Sequence, residues 1–316
     1  MANVNKIMVS LSTAINKVSG SAISGISKII EATISLFSNT KSLSHGTANT
    51  TDGVYATSTS SDFQLIQTDA WSISFWIKVG WTNALNGSTY QIASAGSGGV
   101  QDNMWRVSYS ESNNRLTLGW RSANNERSNN FWYFHHTGTG EAAAQSGLGT
   151  TYWSSSNRGY VNADDFTLIT LTKGTAITAT AANITAYWNG QDLGAPYYAN
   201  ANNNGTPDMD ASAARNFAIG NNAWNYGGAQ GGNGVASLFD EVALWDKELS
   251  AAEVLEIWGG SGTLGETTGA PSNLQTSSMS SNLIGYWRFE TDGTVSTVGS
   301  ATLTLDGSSA SVTSPA

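Results

Sequence analysis

FDEVALWDKELSAAEVLEIW, Phe239 to Trp258, decides the fold. Its first seven residues carry the aromatic and β-branched side chains of a strand in a packed sheet. Side chains alternate along a strand, so Val242 and Leu244 fall on one face and Ala243 and Trp245 on the other. Asp246 and Lys247 break the run. Ser250 then stands at a helix N-cap with Glu253 three residues on, the reciprocal pair that satisfies orphan amide groups at a helix start. Val254, Ile257 and Trp258 give the short helix one apolar stripe. The stretch therefore predicts a sandwich strand that turns into a brief capped helix.

Similar strand patterns lie on both sides of it. In WSISFWIKVGW (Trp71 to Trp81), Ile73, Phe75 and Ile77 are expected to face one way. Trp71, Ser74, Trp76 and Lys78 face the other, with a slip at Ser72. RVSYSESNNRLTLGW (Arg106 to Trp120) reads as a hairpin turning at Ser112-Asn113-Asn114. FTLITLTKG (Phe166 to Gly174) and ITAYWNGQDLG (Ile184 to Gly194) follow, the second with an Asn189-Gly190 turn of the type I′ kind. FAIGNN (Phe217 to Asn222) leads toward the opening stretch. After a Gly/Thr/Ser-rich piece comes one more strand, NLIGYWRFETDGT (Asn282 to Thr294).

The pattern of residues 240–254 resembles the closing segment of the concanavalin A-like superfamily, in particular its laminin G-like and pentraxin-like domains. WSISFWIK, YWNG (Tyr187 to Gly190) and LIGYWRFE (Leu283 to Glu290) resemble further strands of that superfamily. The likeness runs from Leu43 to Asp306. It implies an all-β fold, a two-sheet antiparallel jelly-roll sandwich, and a binding protein before an enzyme. In many relatives the LIGYWRFE strand precedes the sandwich. Here it comes late, which reads as a permuted edge of the same domain. The expected organisation is residues 1–41 as an N-terminal segment and 42–316 as the sandwich. Within the latter, 262–281 is a loop and 282–316 supplies C-terminal strands.

Composition agrees with many short strands joined by tight turns. Charged residues make up 12% of the chain, about half the usual share, and Gly, Ser, Thr, Asn and Ala take their place. There is no cysteine, hence no disulfide or thiolate metal site. The net charge is −9, so no basic stripe exists to displace counterions from a nucleic acid. Lys6, Lys17, Lys28 and Lys41 against Glu31 make residues 1–45 net +3, leaving −12 on the remainder. Met1 to Ser10 lacks the basic flank and apolar core of a secretory signal. No window approaches the apolar length of a membrane span.

Residues 4–36 hold three gap-free copies of an eleven-residue unit: VNKIMVSLSTA, INKVSGSAISG and ISKIIEATISL. Lys6, Lys17 and Lys28 are in register. An eleven-residue apolar period favours a weakly right-handed helical bundle, with Val4, Ile7, Leu11, Ile15, Val18, Ile26 and Ile29 along one stripe. The helix is the form expected for this short N-terminal segment; Gly20, Gly25 and the β-branched residues make a β-rich stalk the competing form. Either form needs identical neighbours or a host structure to bury its stripe; the alternative is a helix docked on its own sandwich. The repeat resembles those of tailed-phage structural proteins, which implies an anchoring or oligomerising role.

Catalytic signatures are missing. The nearest approach to a glycosidase carboxylate strand is Glu290-Thr291-Asp292. Its third acid is absent and Asp292-Gly293 is a turn pair, so both acids read as solvated turn residues. Asp240, Glu241 and Asp246 read as turn and edge residues of the closing strand. Adjacent His135 and His136 on a strand point to opposite faces and do not share a metal.

Of the twelve tryptophans, Trp71, Trp76, Trp188, Trp245 and Trp287 sit on expected strands and belong to the core. Those in Gly/Asn-rich loops can stack on sugar rings: Trp224 and Tyr226 beside Asn222 and Asn225, then Trp153, Tyr197 and Tyr198. The same aromatics can instead pin loops or form subunit contacts. Calcium is implied by the resemblance, since relatives hold it with loop oxygens. Asp208 and Asp210, with Asp102, are the candidate ligands, against ordinary turn chemistry.

The reading is a bacteriophage virion surface protein, a fibre, spike or decoration subunit. Residues 1–41 bind other virion proteins or form a homo-oligomer, a trimer among the expected states. The lectin-like sandwich faces host glycans. The alternatives are a structural capsid, tail or filament subunit without a glycan ligand, and a secreted cellular adhesin.

Overall fold

The computed structural model describes residues 39–45, 53–58, 70–79, 89–96, 104–110, 115–121, 130–135, 166–175, 184–193, 198–200, 215–220, 237–260, 269–290, 298, 303–306 and 310–312. The chain divides into two units, Met1–Ser38 and Asn39–Ala316, and the described residues all belong to the second. The repeat positions Val4, Ile7, Leu11, Ile15, Val18, Ile26 and Ile29 lie outside them.

In chain order the first strands are β1 (Ser42–His45), β2 (Gly53–Ser58), β3 (Trp71–Val79), β4 (Thr89–Gly96), β5 (Met104–Ser110), β6 (Arg115–Arg121) and β7 (Asn130–His135). Then come β8 (Thr167–Lys173), β9 (Ile184–Trp188), β10 (Gln191–Asp192), β11 (Tyr198–Asn200), β12 (Arg215–Ile219) and β13 (Ser237–Trp245). Helix α1 (Ala251–Trp258) follows, and β14 (Leu283–Trp287), β15 (Thr304–Asp306) and β16 (Ala310–Val312) close the chain.

The strands form two antiparallel sheets. One runs β10-β9-β8-β3-β13-β1-β16 with β14 also on β13; the other runs β11-β7-β6-β5-β4-β12-β2-β15. This is the two-sheet antiparallel sandwich expected from the sequence. The hairpin at β5–β6 and the Asn189-Gly190 turn form as predicted, with φ of 48° and 79° at the two turn residues, both in the left-handed region that type I′ demands. Asn189 also caps its neighbour strand, its Oδ1 accepting from the Leu168 amide at 2.9 Å.

Between the sheets lies one apolar core that includes Ile73, Phe75, Ile77, Val107, Leu118, Phe239, Val242 and Leu244. An aromatic series crosses it: Trp71 stacks with Trp105 (6.4 Å), Trp105 meets Phe217 (6.0 Å), and Phe217 stacks on Trp287 (5.3 Å). Trp71 therefore lies on the same face as Ile73 and Phe75. The expected slip at Ser72 does not occur: alternation is unbroken from Trp71, and Ser72 faces the other side. There its hydroxyl donates to the Lys247 carbonyl and accepts from the Leu249 amide. The five strand tryptophans assigned to the core are all buried, as are Trp105 and Trp258.

A second apolar cluster covers the outer face of the β3–β13 sheet, where Trp76, Leu168, Ala243, Trp245 and Tyr286 meet Val254, Ile257 and Trp258 of α1. The predicted capping box is present: Ser250 Oγ accepts from the Glu253 amide, and Glu253 Oε2 accepts from the Ser250 amide at 2.9 Å. Gly259 ends the helix with φ of 69°, the left-handed cap that glycine adopts without a Cβ penalty. The Trp258 ring stacks on Trp76 at 5.1 Å. Gly269 lies against the same ring, so closely that a Cβ there would come within 2.3 Å of it. Gly269→Ala is expected to lower stability by about 1–3 kcal/mol through overpacking. Urea denaturation followed by tryptophan fluorescence checks this, and an unchanged midpoint contradicts the packing described.

Candidate functional site

The loops that carry the sequence-selected residues leave the sandwich in two groups, and strand register sorts them. β1, β3 and β12 finish at one end, where β13 begins: Ser237 pairs with both His45 and Val79. Ile219, the last residue of β12, pairs with Val54 near the start of β2. β7 reaches the same end at His135, opposite the first residue of β6, and β8 begins there with Thr167 opposite Ile77. β11 starts toward that end, Tyr198 lying opposite Tyr133.

The segments 221–236, 136–165 and 194–197 thus all attach at this end. They contain Asn222, Trp224, Asn225 and Tyr226; Trp153; and Tyr197. The 221–236 segment links β12 and β13, one strand from each sheet. Its near side is fixed by the Gly220 amide, which donates to the Ile92 carbonyl at 2.6 Å.

The acidic candidates attach at the opposite end. Segment 97–103, with Asp102, follows Gly96, and segment 201–214, with Asp208 and Asp210, precedes Arg215. Gly96 pairs with Asn216, so both segments leave from neighbouring strands. Trp153, Tyr197, Asn222, Trp224, Asn225, Tyr226, Asp102, Asp208 and Asp210 themselves lie outside the described residues, as does His136. Tyr198 opens β11, and only its backbone is described. The strand ends that flank the aromatic-bearing segments lie at one end of the sandwich, and those that flank 97–103 and 201–214 lie at the other.

The described residues hold a different cluster, which the sequence reading missed. Asp240 and Glu241 are not turn or edge residues: both are buried, on a strand paired along both sides. The register between β13 and β3 shifts between Asp240 and Ala243, the mark of a β-bulge. Glu241 has φ of 47° there, a conformation that costs a non-glycine residue energy and persists only where its surroundings enforce it. The Asp240 carboxylate accepts from the Glu241 amide at 2.8 Å. Tyr286 Oη donates to Glu241 Oε2, and Arg288 Nε donates to Glu241 Oε1 at 3.2 Å.

Burial dominates the chemistry of this carboxyl group. It raises the Glu241 pKa from 4.5 to about 7, against the hydrogen bond from Tyr286 and the charge of Arg288, while Glu290 pushes the same way as burial. Desolvation, with the Glu241 charge beside it, also drives the Tyr286 hydroxyl well above its ordinary range. Tyr286 therefore remains a neutral donor throughout the usual pH range. Glu241 is only 2% exposed and Tyr286 0%, so the pair is a buried polar node and not an open acid–base site.

Glu290 does lie at a partly exposed bend, but its carboxylate is engaged by the protein. Its carboxylate accepts from Thr40 N at 2.7 Å, Thr40 Oγ1 at 2.6 Å and Lys41 N at 3.3 Å. Asp246 does sit in an exposed turn, where it accepts from Asn282 Nδ2 at 2.9 Å. Among the described residues no three His, Asp or Glu side chains gather as metal ligands, and no helix is long and apolar enough to cross a membrane.

In fold the chain is similar to several solved structures. One is the native heptameric SAP-like pentraxin from Limulus polyphemus, with TM-score 0.41 and 13% identity over 74% of this chain and 90% of that one. Another, from Bacteroides ovatus, is described as a carbohydrate-binding protein; TM-score is 0.45 and identity 12%, over 88% of this chain and 62% of that one. Domains LG4-5 of mouse laminin α1 match with TM-score 0.38 and 10% identity, over 70% of this chain and 45% of that one. A sialidase from Streptococcus pneumoniae also matches, over 32% of its own chain. No protein-family model matches the chain, and no curated protein matches it.

A stability slope follows from the buried glutamate. Folded Glu241 keeps its proton up to about pH 7, while an unfolded glutamate releases it near 4.5. Between these values the folded state binds more protons, so unfolding free energy falls as pH rises and levels off above 7. The loss is on the order of 3 kcal/mol. Glu241→Gln is expected to remove this component, measured as the difference between the two proteins in urea denaturation from pH 4.5 to 8. Identical slopes would show that Glu241 does not titrate there.

Proposed function

We propose that the protein is a glycan-binding sandwich displayed on a bacteriophage particle, and that its sugar site is the end where segments 136–165, 194–197 and 221–236 attach. The convergence of these loops is the observation that carries the reading. The strand ends that flank these three segments, distant from one another in sequence, lie together at that end, which supports the reading. The described tryptophans with known surroundings are all spent on the two apolar clusters, and Trp81, Trp153 and Trp224 belong by sequence to connecting segments. Aromatic faces stack on the apolar C–H faces of sugar rings, with Asn222 and Asn225 supplying paired donors and acceptors beside Trp224.

The segment 1–41, by its eleven-residue repeat, attaches the sandwich to other virion proteins or to copies of itself. No covalent chemistry is assigned to the sandwich. Calcium, where Asp102, Asp208 and Asp210 would hold it, is assigned to loop stability and not to the sugar, because the strands flanking those segments end opposite to the aromatic segments.

A glycan array screened with and without calcium tests the reading. Binding is expected, and Trp224→Ala should weaken it at least about tenfold, the loss of roughly 1.4 kcal/mol. Absence of binding in both conditions would favour a purely structural virion subunit. Chelation with EDTA is expected to lower Tm by a few degrees, as loss of any native-state ligand does, while glycan affinity stays unchanged. Sedimentation of a chain lacking residues 1–38 should show a smaller particle than the full-length protein; equal sizes would remove oligomerisation from the role of that segment.

A further inference from the structure

We propose that the outer face of the second sheet, across β5, β6 and β7, binds a polysaccharide that carries carboxylates. This deepens the glycan reading above and rests on it. Val107, Leu116, Leu118 and Phe217 belong to the core between the sheets, so the residues that alternate with them lie on the other face. Cross-strand register sets these in rows. Arg106 pairs with Gly119, and Gly119 with Phe131; Thr117 pairs with Tyr133 one row along, and Arg115 with His135 in the next. Arg121 ends β6 on the same face, about 20 Å from Arg115 at the strand rise. Arg115 and His135 stand at the end where segment 136–165 attaches, so the face runs on from the proposed sugar site.

Charge singles this face out. The chain has 23 acidic residues against 14 lysines and arginines, yet β2, β4, β5, β6, β7, β11 and β12 contain no acid. Asp306 on β15, at the far edge of the sheet, is the exception. Helix α1 covers the outer face of the first sheet, and no described element lies on the outer face of the second. Arg106 is partly exposed there, with the smaller Ser108 and Thr117 beside it buried. A guanidinium takes a carboxylate through two parallel hydrogen bonds, and aromatic residues such as Phe131 and Tyr133 stack on the apolar faces of sugar rings. An acidic sugar polymer offers both groups along its length. A protein of net charge −9 repels such a polymer elsewhere, which leaves this face as its landing point. The same repulsion acts more strongly on a nucleic acid, which has a charge at every nucleotide.

Titration calorimetry of the full chain tests this with oligomers of hyaluronan, polygalacturonate and polysialic acid, and with the methyl ester of each. At least one charged oligomer is expected to bind, about tenfold or more tighter than its uncharged ester. Its affinity should fall at least about tenfold between roughly 0.05 and 0.5 M NaCl, as screening shortens the reach of the arginines. Arg115→Gln and Arg121→Gln should each weaken it about fivefold, the upper range for an exposed ion pair. Lys78→Gln makes the same change of charge on the first sheet and should leave affinity unaltered. Equal affinity for oligomers and esters overturns the proposal, and this comparison needs no variant. Unaltered affinity in both arginine variants, or an equal loss in Lys78→Gln, also overturns it. So does failure of every charged oligomer to bind, as when a segment of the chain itself lies on the face, or tighter binding of a single-stranded oligothymidylate. Neutral glycans bound on the array, with charged oligomers no better than their esters, would leave the glycan reading standing and sink this one.

Discussion

Strand β13 must be hydrogen-bonded along both edges and buried on both faces, and the rest of the sandwich is arranged around that demand. On one edge β3 pairs with it over most of its length. No single strand occupies the other edge; β1 takes the first part and β14 the last. On its inner face Phe239, Val242 and Leu244 enter the core between the sheets, and on its outer face Ala243 and Trp245 meet α1. A strand in this position exposes no backbone group to water, so every partner must be supplied by the protein. The bulge at Asp240–Glu241 falls where the edge partner changes, and its buried carboxylates are held by Tyr286, Arg288 and the backbone of the bulge itself.

The same strand explains why α1 is needed although it contributes only eight residues. The outer face of this sheet carries Trp76, Leu168, Trp245 and Tyr286, too large an apolar surface to leave in water. The helix lays Val254, Ile257 and Trp258 on it, fixed at its start by the capping box and at its end by Gly259. Gly190 comes close to Leu255 and Trp258, so the β9–β10 turn is matched to the helix as well. Inside the sandwich, the series Trp71–Trp105–Phe217–Trp287 ties β3 and β14 of one sheet to β5 and β12 of the other. Among the residues whose side chains are described, tryptophan is a packing residue.

This use of tryptophan bears on function. Buried aromatics build the two clusters among the described residues, while Trp153 and Trp224 belong by sequence to connecting segments. Antiparallel topology assigns each connecting segment to one end or the other by the direction of its flanking strands. The aromatic-bearing and acid-bearing segments thereby acquire opposite ends without any contact between their side chains being required.

Much of this was legible in the residues. The period-two runs at Trp71, Phe166, Ile184 and Phe239 named their strands, Asn189-Gly190 named its turn, and Ser250 with Glu253 named the helix start. Those signals are local: they depend on backbone propensity and on hydrogen bonds between residues a few positions apart. Even the bulge leaves a trace, since Phe239 and Val242 share a face although they are three apart. The roles of Glu241 and Glu290 left no comparable mark, because their partners lie 45 to 250 positions away. A glutamate beside Val242 looks the same in sequence whether it meets water or a tyrosine. Sequence by itself determined the strands, the turns, the cap and the identity of the loop aromatics. Only the tertiary structure decided which edge β14 occupies, which end each loop leaves from, and that two apparent surface acids, one of them buried, take partners far away in the chain, because pairing over long chain separations is a property of the assembled sheet.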